Sequence, residues 1–296
     1  MRVFVTGATG FVGSAVVKEL IGAGHQVLGL ARSDASANAL IEAGAEVHRG
    51  DLTDLDSLRR GAAAADGIIH TGFIHDFTRY KEMCEVDKLA IEAIGAELAG
   101  SNRPFIVTSG TALVSPGSVA TEAIIPAPGV SVHPRVSEQT ADAVAALGVR
   151  TAVVRLSPSV HDEGDYGFIP MLINIAREKG FSAYIGEGLN CWTAVHRLDA
   201  AVLYRLALEN VTPRARYHGV AEEAITFKTI AETIGKQLNI PVVSVPAAEA
   251  AEHFGWLSGF ACIDCPASNK ITRESLNWQP IQIGLIADME KGHYFR

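Results

Sequence analysis

Met1-Arg-Val-Phe-Val-Thr-Gly-Ala-Thr-Gly-Phe-Val-Gly13 opens the chain and decides how the rest is read. Val3 to Thr6 form a short strand that runs straight into glycines at Gly7, Gly10 and Gly13. Gly7 suits the tight turn at the strand end. Gly10 lets backbone approach a phosphate, and Gly13 lets the next helix pack closely on the sheet. A helix from Phe11 to about Ile21 then aims its N-terminal amides and positive dipole end at an anion. The spacing predicts a dinucleotide pyrophosphate held by Gly7, Thr9, Gly10, Phe11, Val12 and Gly13. A glycine-rich turn with no ligand is the plainer alternative; the strand before and the helix after the glycines favour the anion site.

Strand-like and helix-like segments alternate onward from this stretch. Strands are expected at Val3–Thr6, Gln26–Ala31, Ala45–Arg49, Gly67–Thr71, Phe105–Thr108 and Thr151–Leu156. Helices are expected at Phe11–Ile21, Ser36–Glu42, Leu55–Ala63, Thr78–Leu98 and Val136–Leu147. This rhythm predicts an α/β fold, a Rossmann-type doubly wound parallel sheet with helices on both faces. A ligand then sits above the carboxyl ends of the strands. Residues 1–156 are expected to form the dinucleotide-binding domain. Residues 157–296 are expected to form mainly a smaller substrate lobe, with about 190–220 returning to the sheet.

The 296 residues carry a net charge of −8 and are 48% hydrophobic, the balance of a soluble globular protein. No run of five or more Lys/Arg occurs, so nucleic acid is not an expected partner. No apolar run approaches the roughly eighteen residues needed to span a bilayer, and the N-terminus lacks a signal-peptide pattern, which makes the cytoplasm the default location. Cys262-Ile-Asp-Cys265 has redox or half-zinc spacing, but no second pair completes a metal site. Reduced thiols and no metal are the expectation.

The second strand ends at Arg32-Ser33, where an acidic residue would bind the ribose 2′-hydroxyl of NAD and an arginine the 2′-phosphate of NADP. Arg32 offers a fixed charge and a fork of donors, predicting NADP. NAD held through Asp34 is the alternative. Asp51 and Leu52 are expected beside the adenine, with capping of the following helix as the plainer role for Asp51. Thr71 and Gly72, at the end of the fourth strand, and Thr108, near the end of the fifth, complete the expected cofactor contacts. His70 is expected to pack within its strand.

TGATGFVG (Thr6–Gly13), GDLTD (Gly50–Asp54), VTSG (Val107–Gly110), VVRLSPSV (Val153–Val160) and WTAVHRLDAA (Trp192–Ala201) occur in an order that resembles the extended short-chain dehydrogenase/reductase superfamily, also called the NAD-dependent epimerase/dehydratase family. The resemblance implies a Rossmann domain, a small C-terminal substrate domain, NAD(P) chemistry and a homodimer formed by the helix Thr78–Leu98 and the helix after Pro134. It also implies a Ser/Thr after the fifth strand and a Tyr-x-x-x-Lys pair on the next helix. Here Pro134 falls where the tyrosine belongs and Glu138 where the lysine belongs. There is no tyrosine between Tyr80 and Tyr166 and no lysine between Lys88 and Lys179. A glutamate would raise a neighbouring phenol's pKa, where lysine lowers it. The pattern resembles the superfamily's atypical branch, which keeps the glycine loop without the usual active-site residues.

Other groups must then act. Ser109 and Thr111 are candidates to hydrogen-bond a substrate oxygen, and His133 is a candidate proton relay or an N-cap before Pro134. Arg135 is a candidate oxyanion partner or a helix-turn partner of Glu138. Glu138 is a candidate base or a solvated carboxylate. His161 and Tyr166 are candidate donors from the substrate side. Asn190, Trp192, His196 and Asp199 are expected to line or brace that pocket. The expected activity is reduction of a small or medium organic carbonyl or imine by NADPH. A non-catalytic NADP-binding module and an epimerase, dehydratase or isomerase are the alternatives.

Overall fold

The computed structural model describes residues 1–125 and 134–296. Its first half alternates β1 (Arg2–Thr6), α1 (Phe11–Gly22), β2 (Gln26–Ala31), α2 (Asp34–Glu42), β3 (Glu46–Arg49), α3 (Leu55–Ala63), β4 (Gly67–His70), α4 (Tyr80–Leu98), β5 (Pro104–Gly110), α5 (Ser137–Ala146) and β6 (Arg150–Leu156). The second half comprises β7 (Ser159–His161), α6 (Phe168–Lys179), β8 (Ser182–Ile185), β9 (Cys191–His196), α7 (Arg197–Glu209), β10 (Arg216–Gly219), β11 (Glu222–Thr226), α8 (Phe227–Leu238) and β12 (Val242–Val245). Short helices α9 (Ala250–Phe254), α10 (Ser258–Ala261), α11 (Lys270–Leu276) and α12 (Leu285–Glu290) follow.

The main sheet has seven parallel strands in the order β10-β6-β5-β4-β1-β2-β3. Side chains alternate between its two faces, as the two-residue strand period requires. Val3, Val5, Ile69, Ile106 and Val154 join a core with α1, α2 and α7. Their neighbours Phe4, Ile68, Phe105, Val107 and Val153 join the opposite core with α3, α4 and α5. Strands apolar on both faces are thereby explained. A separate core, built on Ile173, Trp192, Ala194, Phe227 and Leu257, fills the second lobe beneath the small sheet β11-β9-β7 and the pair β12-β8.

Several sequence expectations are corrected at their boundaries. The helix expected from Thr78 begins at Tyr80, because Asp76 accepts from the Thr78 amide and holds residues 77–79 in a tighter turn. The segment expected to return to the main sheet from about 190 begins later. Residues Cys191–His196 pair with β7 and β11 in the small sheet, and the return starts with α7, which packs on α1, and β10, which pairs with β6. The tail returns as well. Trp278 is fully buried in the main core, donates from Nε1 to the Asp199 carbonyl at 3.0 Å, and is followed by the Ile281 and Gln282 amides on the Asp199 carboxylate.

Glu138 is also corrected. It is not a solvated helix carboxylate, nor the partner of Arg135, but a buried group clamped between two strands. Arg155 donates from Nε and Nη2 at 2.9 and 2.5 Å, and Arg216 donates from Nε at 2.6 Å. Arg216 also reaches Asp142 at 2.6 Å, so α5 is tied to β6 and β10. Burial pushes the Glu138 pKa up, but the hydrogen bonds and charges of Arg155 and Arg216 outweigh it and hold the carboxyl below its ordinary 4.5. A depressed carboxylate contributes stability above its unfolded pKa and loses it as pH falls through the folded one. Glu138→Gln is therefore expected to cost about 3–5 kcal/mol at pH 7, because two guanidinium groups lose their buried counter-charge. Urea unfolding should show the gap to wild type narrowing as pH falls below 4.5. A gap that persists unchanged into acid would contradict this role.

Candidate active site

A cavity of about 580 Å³ runs along the carboxyl ends of the main-sheet strands. The loop from β1 to α1 forms its middle. Gly7 takes φ +65°, and its carbonyl accepts from the Gly10 amide at 2.9 Å. A Cβ on Gly13 would lie 2.0 Å from the Gly7 oxygen, so only glycine lets α1 start this close to the strand end. Gly10 is the N-cap without a capping side chain. As a result the Val12 and Gly13 amides have no partner among the described residues, and the Phe11 amide donates to the Tyr166 phenol at 3.2 Å. Unsatisfied amides at a helix N-terminus bind anions. The Tyr166 oxygen already stands as an acceptor on the first of them, so these residues fit a pyrophosphate.

Thr71 and Gly72 brace this loop from β4. Thr71 Oγ1 donates to the Thr6 carbonyl at 2.8 Å, and the Gly72 amide donates to Thr6 Oγ1 at 3.2 Å. Beneath them Thr6 Oγ1 meets His70 Nδ1 at 2.8 Å, and His70 Nε2 meets Asp87 at 3.2 Å. Ser137 donates to Asp87 at 2.5 Å, and Arg135 Nε donates to Ser137 Oγ at 2.9 Å. A buried polar chain thus links the glycine loop to Arg135 on the cavity wall. His70 is structural in this chain, hydrogen-bonded on both ring nitrogens.

At the β2 end, Arg32 lines the cavity with Leu30, Ser36, Asp51 and Leu52. Asp34 does not reach the wall; it starts α2, is exposed, and pairs with Arg49 at 2.5 Å. Ser33 is corrected in the same way. Its hydroxyl caps α2 by accepting from the Ser36 amide at 3.1 Å, and Ser36 takes its place on the wall. Asp51 does not cap α3, since Asp54 accepts from the Ser57 amide there; Asp51 instead holds Thr53 in a local turn at 3.0 Å.

At the β5 end the candidates separate. Ser109 lines the cavity, and its hydroxyl has no partner among the described residues. Thr108 also lines the cavity, but its hydroxyl is committed to the His70 carbonyl and the Tyr204 phenol, both at 2.7 Å. Thr111 is overturned as a substrate contact. It is buried off the wall, with Oγ1 on Thr193 Oγ1 at 3.1 Å, because residues 111–113 coil into a short turn that rotates it toward β9. His133 lies outside the described residues. Arg135 reaches the Thr108 carbonyl at 3.2 Å and packs 4.4 Å from the Phe73 ring.

From the second lobe, Tyr166, Phe168 and Trp192 reach the wall. His161 does not; it is fully buried against Asp288 at 3.0 Å. Asn190 is also off the wall, donating to the Ala261 and Ile263 carbonyls at 2.9 and 3.1 Å. His196 and Asp199 brace the lobe through Asp162 and the tail. The residues that sequence reasoning missed are aromatic ones: His75, Phe77 and Tyr80 after β4, and Phe260 from α10. The run Phe73–Tyr80 carried a signal in its density of rings, whereas Phe260 carried none. The four cysteines are free, and Cys265, on the wall, has its thiol pKa pushed up to about 12 by burial. Among the described residues no cluster suits a metal ion, and no helix is long and apolar enough to cross a membrane.

The model of the NAD dependent epimerase/dehydratase family matches residues 3–218, from β1 to β10. The chain belongs to that family. An uncharacterized protein of Schizosaccharomyces pombe is 50% identical over the whole of both chains. A 2-alkyl-3-oxoalkanoate reductase of Stenotrophomonas maltophilia is 26% identical over 75% of this chain and 69% of its own length. The fold is shared with UDP-glucose 4-epimerase of Thermus thermophilus, solved in complex with NAD, at a TM-score of 0.76 and 17% identity over 99% of each chain.

Asp165, on the wall, offers a check on the loop that carries Tyr166. Its carboxylate accepts from the Gly167 amide at 2.6 Å and the Tyr294 phenol at 3.0 Å, yet burial pushes its pKa up to about 6. A raised carboxyl pKa means stability is fully present below the unfolded value of 3.8 and lost as pH rises through 6. Asp165→Asn keeps the shape and removes the charge. It should raise the thermal midpoint at pH 8 and change it little at pH 4, read by calorimetry. Equal midpoints at pH 8 would show that Asp165 is not so buried.

Proposed function

We propose that this protein is an NADP-dependent oxidoreductase of the atypical short-chain type that reduces a small or medium organic carbonyl or imine. One observation carries the proposal: a single cavity joins Arg32, the Val12 and Gly13 amides and the Ser109 hydroxyl, the last three without a partner among the described residues. The amides and the α1 dipole would hold the pyrophosphate. Arg32 would take the 2′-phosphate, and the engagement of Asp34 by Arg49 supports NADP over NAD. When bound, NADPH supplies the hydride that reduces the carbonyl carbon.

Ser109 would donate a hydrogen bond to the substrate oxygen, polarising the carbonyl and stabilising the alkoxide that forms. Asp87 and Ser137 position Arg135 nearby through the buried chain. His133 is assigned the proton relay. Thr71 and Gly72 shape the floor beneath ribose and phosphate, with Thr108 carrying its backbone to the same floor. A homodimer across α4 and α5 belongs to the same reading.

A second reading, a nucleotide-binding module without turnover, is favoured by Glu138. Locked between Arg155 and Arg216, it has no freedom to act where the family places its lysine. The family name also keeps epimerase and dehydratase chemistry in view. Net NADPH consumption separates all three. Purified protein should oxidise NADPH with some member of an aldehyde, ketone, imine and enone panel. Ser109→Ala should lower kcat by about a hundredfold, the effect of removing one oxyanion donor, without changing NADPH affinity. Arg32→Ala should weaken NADPH binding at least tenfold, the scale of a lost charge-assisted hydrogen bond, and NADH binding little. No turnover across the panel would overturn the oxidoreductase reading, and equal losses for NADPH and NADH would overturn the role of Arg32.

A further inference from the structure

Beyond Ser109 the cavity ends in rings contributed by four separate segments. Phe77, from the turn before α4, stacks on Trp256 with centroids 4.6 Å apart and planes at 22°, and lies 5.9 Å from Phe260. Phe260 lies 4.7 Å from Phe168, and Phe168 lies 5.6 Å from Trp192. Phe77, Phe168, Trp192 and Phe260 all face the cavity. Such walls favour a flat ring in offset or edge contact.

The charges point the same way. Arg32 stands at the far, β2 end, and no lysine lines the cavity among the described residues. Residues 126–133 contain neither lysine nor arginine. Arg135 is the one cationic side chain on the described wall near Ser109, and it already donates to Ser137 and the Thr108 carbonyl. Asp165 adds a carboxylate to the wall. A diphosphate moved here from water would lack the cations needed to compensate its charge.

We propose that the substrate is a planar aromatic aldehyde or ketone, its ring held among Phe77, Phe168 and Phe260 and its carbonyl directed to Ser109, and that sugar nucleotides are excluded. This rests on the reductase reading. The carbonyl carbon gains hydride from NADPH, the carbon–oxygen π pair moves to oxygen, and that oxygen takes a proton from water through the Ser109 hydroxyl, giving an arylcarbinol and NADP⁺.

Binding of the product tests the class without requiring turnover. Full-length protein saturated with NADP⁺ is titrated with 2-naphthalenemethanol, cyclohexylmethanol and UDP-glucose, following tryptophan fluorescence and saturation-transfer NMR. The naphthyl alcohol should bind about three- to tenfold more tightly than the cyclohexyl one, the range expected of one or two ring contacts. UDP-glucose should not bind. Phe77→Ala should remove most of that preference while leaving NADP⁺ affinity within twofold, and Phe260→Leu, which keeps apolar volume, should do the same. UDP-glucose binding, or no preference for the aromatic ring, would overturn the proposal. If the naphthyl alcohol binds but no member of the aldehyde, ketone, imine and enone panel is reduced, the aromatic subsite stands and the reductase reading fails.

Discussion

There is no room for a Cβ between the start of α1 and the end of β1. The Gly13 Cα faces the Gly7 carbonyl so closely that an added carbon would sit 2.0 Å from its oxygen, and a Cβ on Gly7 would sit 2.7 Å from the Gly72 amide. This contact sets the position of the helix N-terminus, and with it the direction of the free amides. Every other element of the site is arranged around that fixed point. The parallel strands bring Arg32, Thr71 and Ser109 to the same edge of the sheet, and the second lobe covers them with Tyr166 and Phe168.

The polar interior does a different job from the cavity. One chain of hydrogen bonds, Thr6–His70–Asp87–Ser137–Arg135, runs from the glycine loop to the wall. Another, around Glu138, Arg155, Arg216 and Asp142, ties α5 to the edge strands. Buried ionic groups are costly unless fully paired, and these are paired on several sides. Glu138 thus anchors the helix that follows β5 to the two edge strands.

Local signals made much of the fold legible. Gln26–Ala31 and Leu55–Ala63 have the bounds that their apolar pattern and caps suggest. Pairing across long separations was not legible. Nothing near Thr111 announces that Thr193 will claim its hydroxyl, and nothing near Glu138 announces two arginines from β6 and β10. The aromatic wall is assembled from segments around Phe77, Phe168 and Phe260, so no window of sequence contains it. The glycine loop was readable because it is built from consecutive backbone atoms; the aromatic end of the cavity was not, because it is built from distant side chains.

The N-terminal amides of α1 form an anion site that Arg32 is proposed to complete. A crystal structure of the full chain grown with NADP⁺ tests it directly. The pyrophosphate is expected within hydrogen-bond distance of the Val12 and Gly13 amides, the Tyr166 phenol displaced from the Phe11 amide or turned onto a phosphate oxygen, and the 2′-phosphate on Arg32. A dinucleotide bound elsewhere, or one bound here with its 2′-phosphate in solvent and Arg32 turned away, would contradict it.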